Sequence, residues 1–157
     1  MSEIIRIRNI INYTQEIIDE DLILIPKNRI ITSQFEFLNN YNHSFNSSTI
    51  VECIIINDKN KEIISNHQTK YTSILQDIWK SMPTLLIIQA TTFNFKLTNE
   101  NGNKGYKWCP ELMMSYQRND AKGSIIEILR MCNLNNYSIN IKIKLSSNAI
   151  INFIKND

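Results

Sequence analysis

Lys104, Tyr106, Lys107 and Trp108 stand together in the run Lys104-Gly105-Tyr106-Lys107-Trp108. Aromatic rings stack on the faces of unpaired bases of any sequence, and ammonium groups hold phosphates. Basic and aromatic residues interleaved in this way therefore suit single-stranded RNA or a nucleotide. The first expectation for the same spacing is nonetheless an ordinary aromatic cluster, with Tyr106 and Trp108 turned inward against Phe93 and Phe95. A second basic run, Gln117 to Gly123, carries Arg118 and Lys122 into the start of a helix, where free N–H groups and the helix dipole favour an anion. Ser124 and Glu127 have capping-box spacing there, so part of that polarity serves to start the helix.

Nothing in the sequence has the spacing of a catalytic or metal centre. His43 and His67 lie in polar stretches without ligand spacing, and no Cys pair is spaced for zinc. Cys53, Cys109 and Cys132 are odd in number and far apart, which argues against a disulfide framework and fits a reducing compartment. Cys53 and His67 would serve as nucleophile and base only if the fold brought them together, and a small apolar Cys on a strand more often packs. Asp19, Glu20 and Asp21 near Lys27 and Arg29 read as a solvated turn. Neither G-x-x-x-x-G-K-[ST] nor G-x-G-x-x-G occurs. The expectation is no enzyme activity, no cofactor and no metal.

The net charge of +2 is too small to name a nucleic-acid or membrane partner by itself, and 43% hydrophobic with 20% charged residues is ordinary for a globular domain. Ile and Asn together make up about a third of the chain, while Gly and Pro number 3 each. Ile, Asn and Lys have A/T-rich codons, which points to an AT-rich genome, that of a low-GC bacterium, a protozoan or a large DNA virus. The Asn residues are scattered among apolar ones, unlike a prion-like tract. No apolar run reaches the roughly 18 residues of a membrane span, and the N-terminus lacks the pattern of a signal peptide. The expectation is a cytoplasmic protein, in the cytoplasm of a host if viral.

Period-two alternation predicts strands over Phe93–Leu97 and Tyr137–Leu145, and Asn101-Gly102 predicts a hairpin from the first into Lys104–Trp108. Leu112 to Gln117 would extend that second strand. Ile50–Ile56 and Glu62–Ile64 read as another hairpin around Asn57–Lys61. Tyr71, Ile74, Leu75, Ile78, Trp79 and Met82 recur at helical offsets and stop at Pro83. Asn119 or Asp120 can cap a second helix through Ala121, Ile125, Ile128, Leu129 and Cys132. Leu85 to Ala90 reads as a lead into the Phe93 strand, and Ala149 to Ile154 as a closing hairpin strand. Residues 1–20 fit a helical stripe, Leu22–Ile25 and Ile30–Phe37 fit strands, and Asn39–Thr49 reads as a mobile loop.

These elements predict an α+β domain: an antiparallel sheet with two main helices on one face. From about residue 62 its core is a split βαβ, or ferredoxin-like, arrangement, with an N-terminal helix or strands and a C-terminal hairpin added. The chain is expected to form a single domain, 1–157, with its core at 50–157 and an N-terminal extension at 1–49.

In that element order and in Lys104 to Trp108, the chain distantly resembles the RNA-recognition-motif family, whose third strand begins basic residue, Gly, aromatic, small residue, aromatic. The resemblance implies that Tyr106 and Trp108 stack on bases while Lys104 and Lys107 hold phosphates. Lys107 stands at the small-residue position, Glu111 stands where a further aromatic is usual, and neither Ile50–Ile56 nor Glu62–Ile64 supplies the aromatic partner strand. The leading functional expectation is a non-catalytic interaction module. It would use a sheet edge, the terminal strand Ala149–Ile154 above all, or an apolar groove to bind a protein partner or copies of itself. The alternative is RNA or nucleotide binding through Lys104, Tyr106, Lys107 and Trp108, with Arg118 and Lys122.

Overall fold

Tyr137, Ile139, Ile141 and Ile143 are buried and the residues between them are not, so the alternation written into that segment becomes a strand with one dry face. It is the middle strand of the larger of two sheets. The computed structural model describes residues 2–6, 44–67 and 70–155. In chain order these residues form β1 (Ser2–Arg6), β2 (Thr49–Asn57), β3 (Glu62–His67), α1 (Tyr71–Lys80), α2 (Thr84–Ala90), β4 (Phe95–Lys96), β5 (Tyr106–Cys109), β6 (Met114–Gln117), α3 (Ala121–Leu134), β7 (Tyr137–Lys144) and β8 (Ile150–Lys155). The α+β class expected from the sequence is the class observed.

The main sheet has the order β1-β8-β7-β2-β3, antiparallel from β8 to β3 with β1 added parallel to β8. Ile50, Cys53 and Ile55 of β2 share its dry face with the β7 residues and with Ile151 and Phe153 of β8. Both long helices pack on that face, α1 through Ile74, Leu75 and Ile78 and α3 through Ile125, Ile128, Leu129 and Cys132. The outer face pairs Glu52 with Lys142 and Ile54 with Asn140.

The second sheet is small, with the order β4-β6-β5. Here the strand pairing departs from a split βαβ core, because β4 and β5 do not join β3 and β7 in one sheet. They flank β6, and β6 takes the place beside β4 that the expected Phe93–Trp108 hairpin would have given to β5. Pro110 to Met113 turns the chain sharply, with Met113 N–H donating to Pro110 O and Met113 at φ 52°, so Met114–Gln117 returns along β5 as a strand of its own. Phe93 sits outside the short β4 and packs edge-on against Trp79 at 5.7 Å. Tyr116 meets Trp79 at 5.2 Å and lies 6.5 Å from Phe93, and this triangle of rings fastens the small sheet to α1.

Other expectations change for local reasons. Leu85–Ala90 is helix α2, entered directly after Pro83, whose fixed φ serves the residue before a helix. The helix over residues 1–20 is not formed at Ser2–Arg6, where pairing with β8 gives the backbone a strand's partners. The rest of that segment, the strands expected at Leu22–Ile25 and Ile30–Phe37, and residues 39–43 of the loop lie outside the described residues. Phe45 in the remaining loop is buried and its ring lies 6.4 Å from that of Phe153. The closing hairpin β7–β8 forms as expected, but β8 is enclosed between β7 and β1 and offers no free edge.

Candidate nucleic-acid interface

β4 and β5 both run antiparallel to β6 and lie on opposite sides of it, so the connection from Leu97 to Gly105 has to cross β6. Ser115, in the middle of β6, holds that crossing. Its hydroxyl accepts the Glu100 N–H at 2.9 Å and donates to Thr98 O at 2.7 Å, and the residue is fully buried although it faces away from the helices. Two tight turns then bring the chain back. Asn103 N–H donates to Glu100 O around Asn101-Gly102, and Gly102 at φ 82° fills the position of a type II turn that calls for a positive angle. Tyr106 N–H donates to Asn103 O around Lys104 (φ 50°) and Gly105 (φ 80°), the two positive angles of a type I′ turn.

These turns also close the outer edge of β5. Gly102 N–H donates to Tyr106 O at 2.9 Å, and Trp108 N–H donates to Asn101 Oδ1 at 3.1 Å, so loop groups satisfy the strand's outward backbone.

Directly paired residues in an antiparallel ladder share a face, and the pairs Tyr106 with Gln117 and Trp108 with Ser115 place both rings on the side away from the helices. Neither ring joins the Phe93 cluster, which corrects the inward packing that is the first expectation for this spacing. Both rings are half-buried, because the crossing loop covers the middle of the face. Lys96 reaches over the Tyr106 ring, its Nζ 5.2 Å from the centroid, and also lies 3.7 Å from Glu100.

The two basic runs of the sequence meet at this corner. Arg118 N–H donates to Gly105 O at 3.1 Å, and Gln117 Nε2 donates to Lys104 O at 2.8 Å, so Lys104 and Arg118 are neighbours through the backbone. Both are exposed, and Lys122 follows, half-buried, in the first turn of α3. Lys107 does not join them. It is paired with Tyr116, on the face opposite the rings, and is half-buried there.

The start of α3 is already filled. Asp120 caps it, its Oδ1 accepting the Gly123 N–H at 2.7 Å, and Asn119 lies so close that a Cβ on Gly123 would come within 2.6 Å of its side chain. A carboxylate thus occupies the place where the sequence allowed a phosphate, and among the described residues no side-chain bond ties Arg118 or Lys122 to the helix end. Ser124 and Glu127 form no capping box. Glu127 lies one turn further on, fully buried, where it binds Arg130 and accepts from the Thr91 and Thr92 hydroxyls, while Arg130 donates to Ala90 O at 2.8 Å. That ion pair holds the α2–β4 junction against α3.

The ladder does set Cys53 opposite His67. Cys53 is fully buried, and burial, with Asp77 and Glu52 adding to it, pushes its thiol up to about 12, so it stays protonated and sheltered at neutral pH. This is the environment of a packing residue. Among the described residues no three His, Cys, Asp or Glu side chains gather as a metal site, and no helix is long and apolar enough to cross a membrane.

The parts that Lys96, Asn101, Ser115 and Gln117 play at this corner are not visible in the sequence. Only the crossing loop gives them their roles, and a single Ser between Met114 and Tyr116 carries no signal of it. No protein-family model, curated protein or solved structure matches this chain.

Proposed function

We propose that the protein is a non-catalytic binding module that takes single-stranded RNA on the corner of the small sheet. One observation carries the reading: Tyr106 and Trp108 face away from the core on the same side of β5, with Lys96 over the Tyr106 ring and the exposed Lys104 and Arg118 next to each other through the backbone at the end of that strand. Bases stack on the rings, and the exposed cations neutralise the phosphates on either side. Lys96 leaves the Tyr106 face when a base takes it and pairs with a phosphate instead. The half-buried rings and the covered middle of the sheet leave room for one or two bases, fewer than an open four-stranded platform would hold.

The test is a titration with mixed-sequence single-stranded RNA followed by Trp fluorescence. Trp79 is buried and serves as a constant background. Saturable quenching is expected, with a log–log salt slope of about −2 if three phosphates are held at roughly 0.7 each. Trp108→Ala should weaken binding about 5- to 100-fold, the loss of one stacked base at ~1–3 kcal/mol, with the fold intact. Full affinity in that variant contradicts the reading.

A specific observation also favours a second reading, a protein partner added as a strand at β3. Among the described residues that strand ends the main sheet with β2 as its neighbour, Ile63 on it is 62% exposed, and a cleft of about 320 Å³ lies beside it, lined by Glu62, Ile63, Ile64, Asp77, Lys80 and Ser81. The register shift opposite Ile55 and Ile56 leaves Ile64 as an extra residue on β3, which shortens the straight edge an added strand can use. Under this reading Ile63→Lys abolishes self-association or partner binding and leaves RNA affinity unchanged.

A further inference from the structure

The crossing loop contains the sequence's one Asn-Gly pair, Asn101-Gly102. This dipeptide is the backbone pair most open to deamidation, because Gly has no side chain to shield its nitrogen. The Gly102 nitrogen bonds to the side-chain carbonyl carbon of Asn101, and the bond from that carbon to the amide nitrogen breaks. The Gly102 proton leaves with the amide as ammonia, giving a succinimide. Water then opens the ring at either carbonyl, to aspartate or to isoaspartate.

Both reacting groups are restrained in the fold. The Gly102 N–H is held by Tyr106 O at 2.9 Å, a bond that has to be given up before the nitrogen can lose its proton and attack. The Asn101 side chain is held by its Oδ1 on the Trp108 N–H at 3.1 Å. The turn that carries the pair is fixed by Asn103 N–H on Glu100 O and, one step further out, by the Glu100 N–H on Ser115. The succinimide requires the Gly102 N–H to leave Tyr106 O and the Asn101 side-chain carbon, anchored through its Oδ1, to move onto that nitrogen, and Ser115 resists the opening that would allow both.

We propose that Asn101-Gly102 is a deamidation site that the fold keeps closed through β5 and Ser115, and that local opening of the crossing loop sets its rate. Conversion places a carboxylate in the loop that joins Lys96 to Lys104. In the isoaspartate product the backbone is also lengthened between Glu100 and Gly102, so the closure of the β5 edge cannot re-form in register.

The whole chain is incubated at mildly alkaline pH, folded in buffer and unfolded in urea, and conversion at each Asn is read by peptide mapping with isoaspartate detection. Asn46-Ser47, outside the loop, is the internal comparison. Asn101 is expected to convert first in the unfolded chain, and at least about tenfold more slowly in the folded one, the protection that closed local structure gives. Ser115→Ala, confirmed as folded by circular dichroism, should raise the folded-state rate severalfold. Equal rates in folded and unfolded wild-type protein overturn the proposal, as does a folded Ser115→Ala variant that converts no faster than wild type. If the Ser115→Ala variant does not fold, Asn101 conversion in native wild-type protein at increasing sub-denaturing urea replaces it. A rate that rises well before global unfolding is expected there, and one that rises only with global unfolding overturns the role given to local opening.

Discussion

Two buried charges show how much a single residue's meaning depends on its neighbours. Glu127 stands at the acidic end of a capping-box spacing in the sequence, and nothing there singles out Arg130. The spacing of three residues that suggests a surface pair is here a fully buried one, tied to Ala90, Thr91 and Thr92. The Nε of Arg130 has no partner, so the pair does not satisfy every group it buries. Removing one member leaves the other charge uncompensated, and Glu127→Ala should cost about 3–5 kcal/mol in urea unfolding. Glu127→Ala with Arg130→Met should recover most of that loss, since the buried cation goes with its partner. A single variant close to wild type contradicts the clamp.

Elements with one clean period were readable from the sequence, and elements defined by their partners were not. β7, β8, the β2–β3 hairpin and both long helices stand close to where alternation, helical offsets and Pro83 put them. α2 was missed because Leu85-Leu86-Ile87-Ile88 has no polar residue to reveal its period, so the run fits either a strand or a helix. The small sheet was misassigned for another reason. Asn101-Gly102 does make a turn, but Lys104-Gly105 makes a second, and strand order depends on which side of β6 the chain lands, a property of the crossing that no local pattern carries. Lys104 occupies a left-handed conformation that costs most side chains about 1 kcal/mol and Asn less. Lys104→Asn should therefore raise stability by roughly 0.5 kcal/mol while weakening RNA binding through the lost charge. Thermal unfolding and the RNA titration together check this, and a gain or loss in both at once would contradict it.

At the scale of the molecule, packing fastens the small sheet to α1 through Trp79, and Trp79→Ala should cost about 3–5 kcal/mol. The core also sets a pH limit. Burial pushes the Cys53 thiol up to about 12 and raises that of Cys132, against an ordinary 9.0. A thiol that ionises more readily unfolded than folded contributes stability fully below its unfolded pKa and loses it as pH rises through the folded value. Between about pH 9 and 12 the Cys53 thiol should cost up to ~1.4 kcal/mol per pH unit, and the buried Cys132 thiol acts in the same direction. Urea midpoints should fall from pH 8 to pH 10.5, less steeply in Cys53→Ala relative to that variant's own midpoint at pH 8. Equal slopes would remove Cys53 from this account.

The candidate site was legible only in its parts. The sequence marked Lys104, Tyr106, Trp108, Arg118 and Lys122 as two separate runs, which the bonds from Arg118 and Gln117 to the Lys104-Gly105 turn bring to one corner, while strand alternation puts Lys107 on the other face. That corner is the central claim, and amide chemical-shift mapping of the labelled protein during titration with a short single-stranded RNA tests it most directly. The account predicts shifts concentrated at Lys96, Gly105 to Trp108 and Arg118, with β3 and the outer face of the main sheet unmoved. Shifts centred on Glu62 to Asn66, or none at micromolar to millimolar RNA, would contradict it.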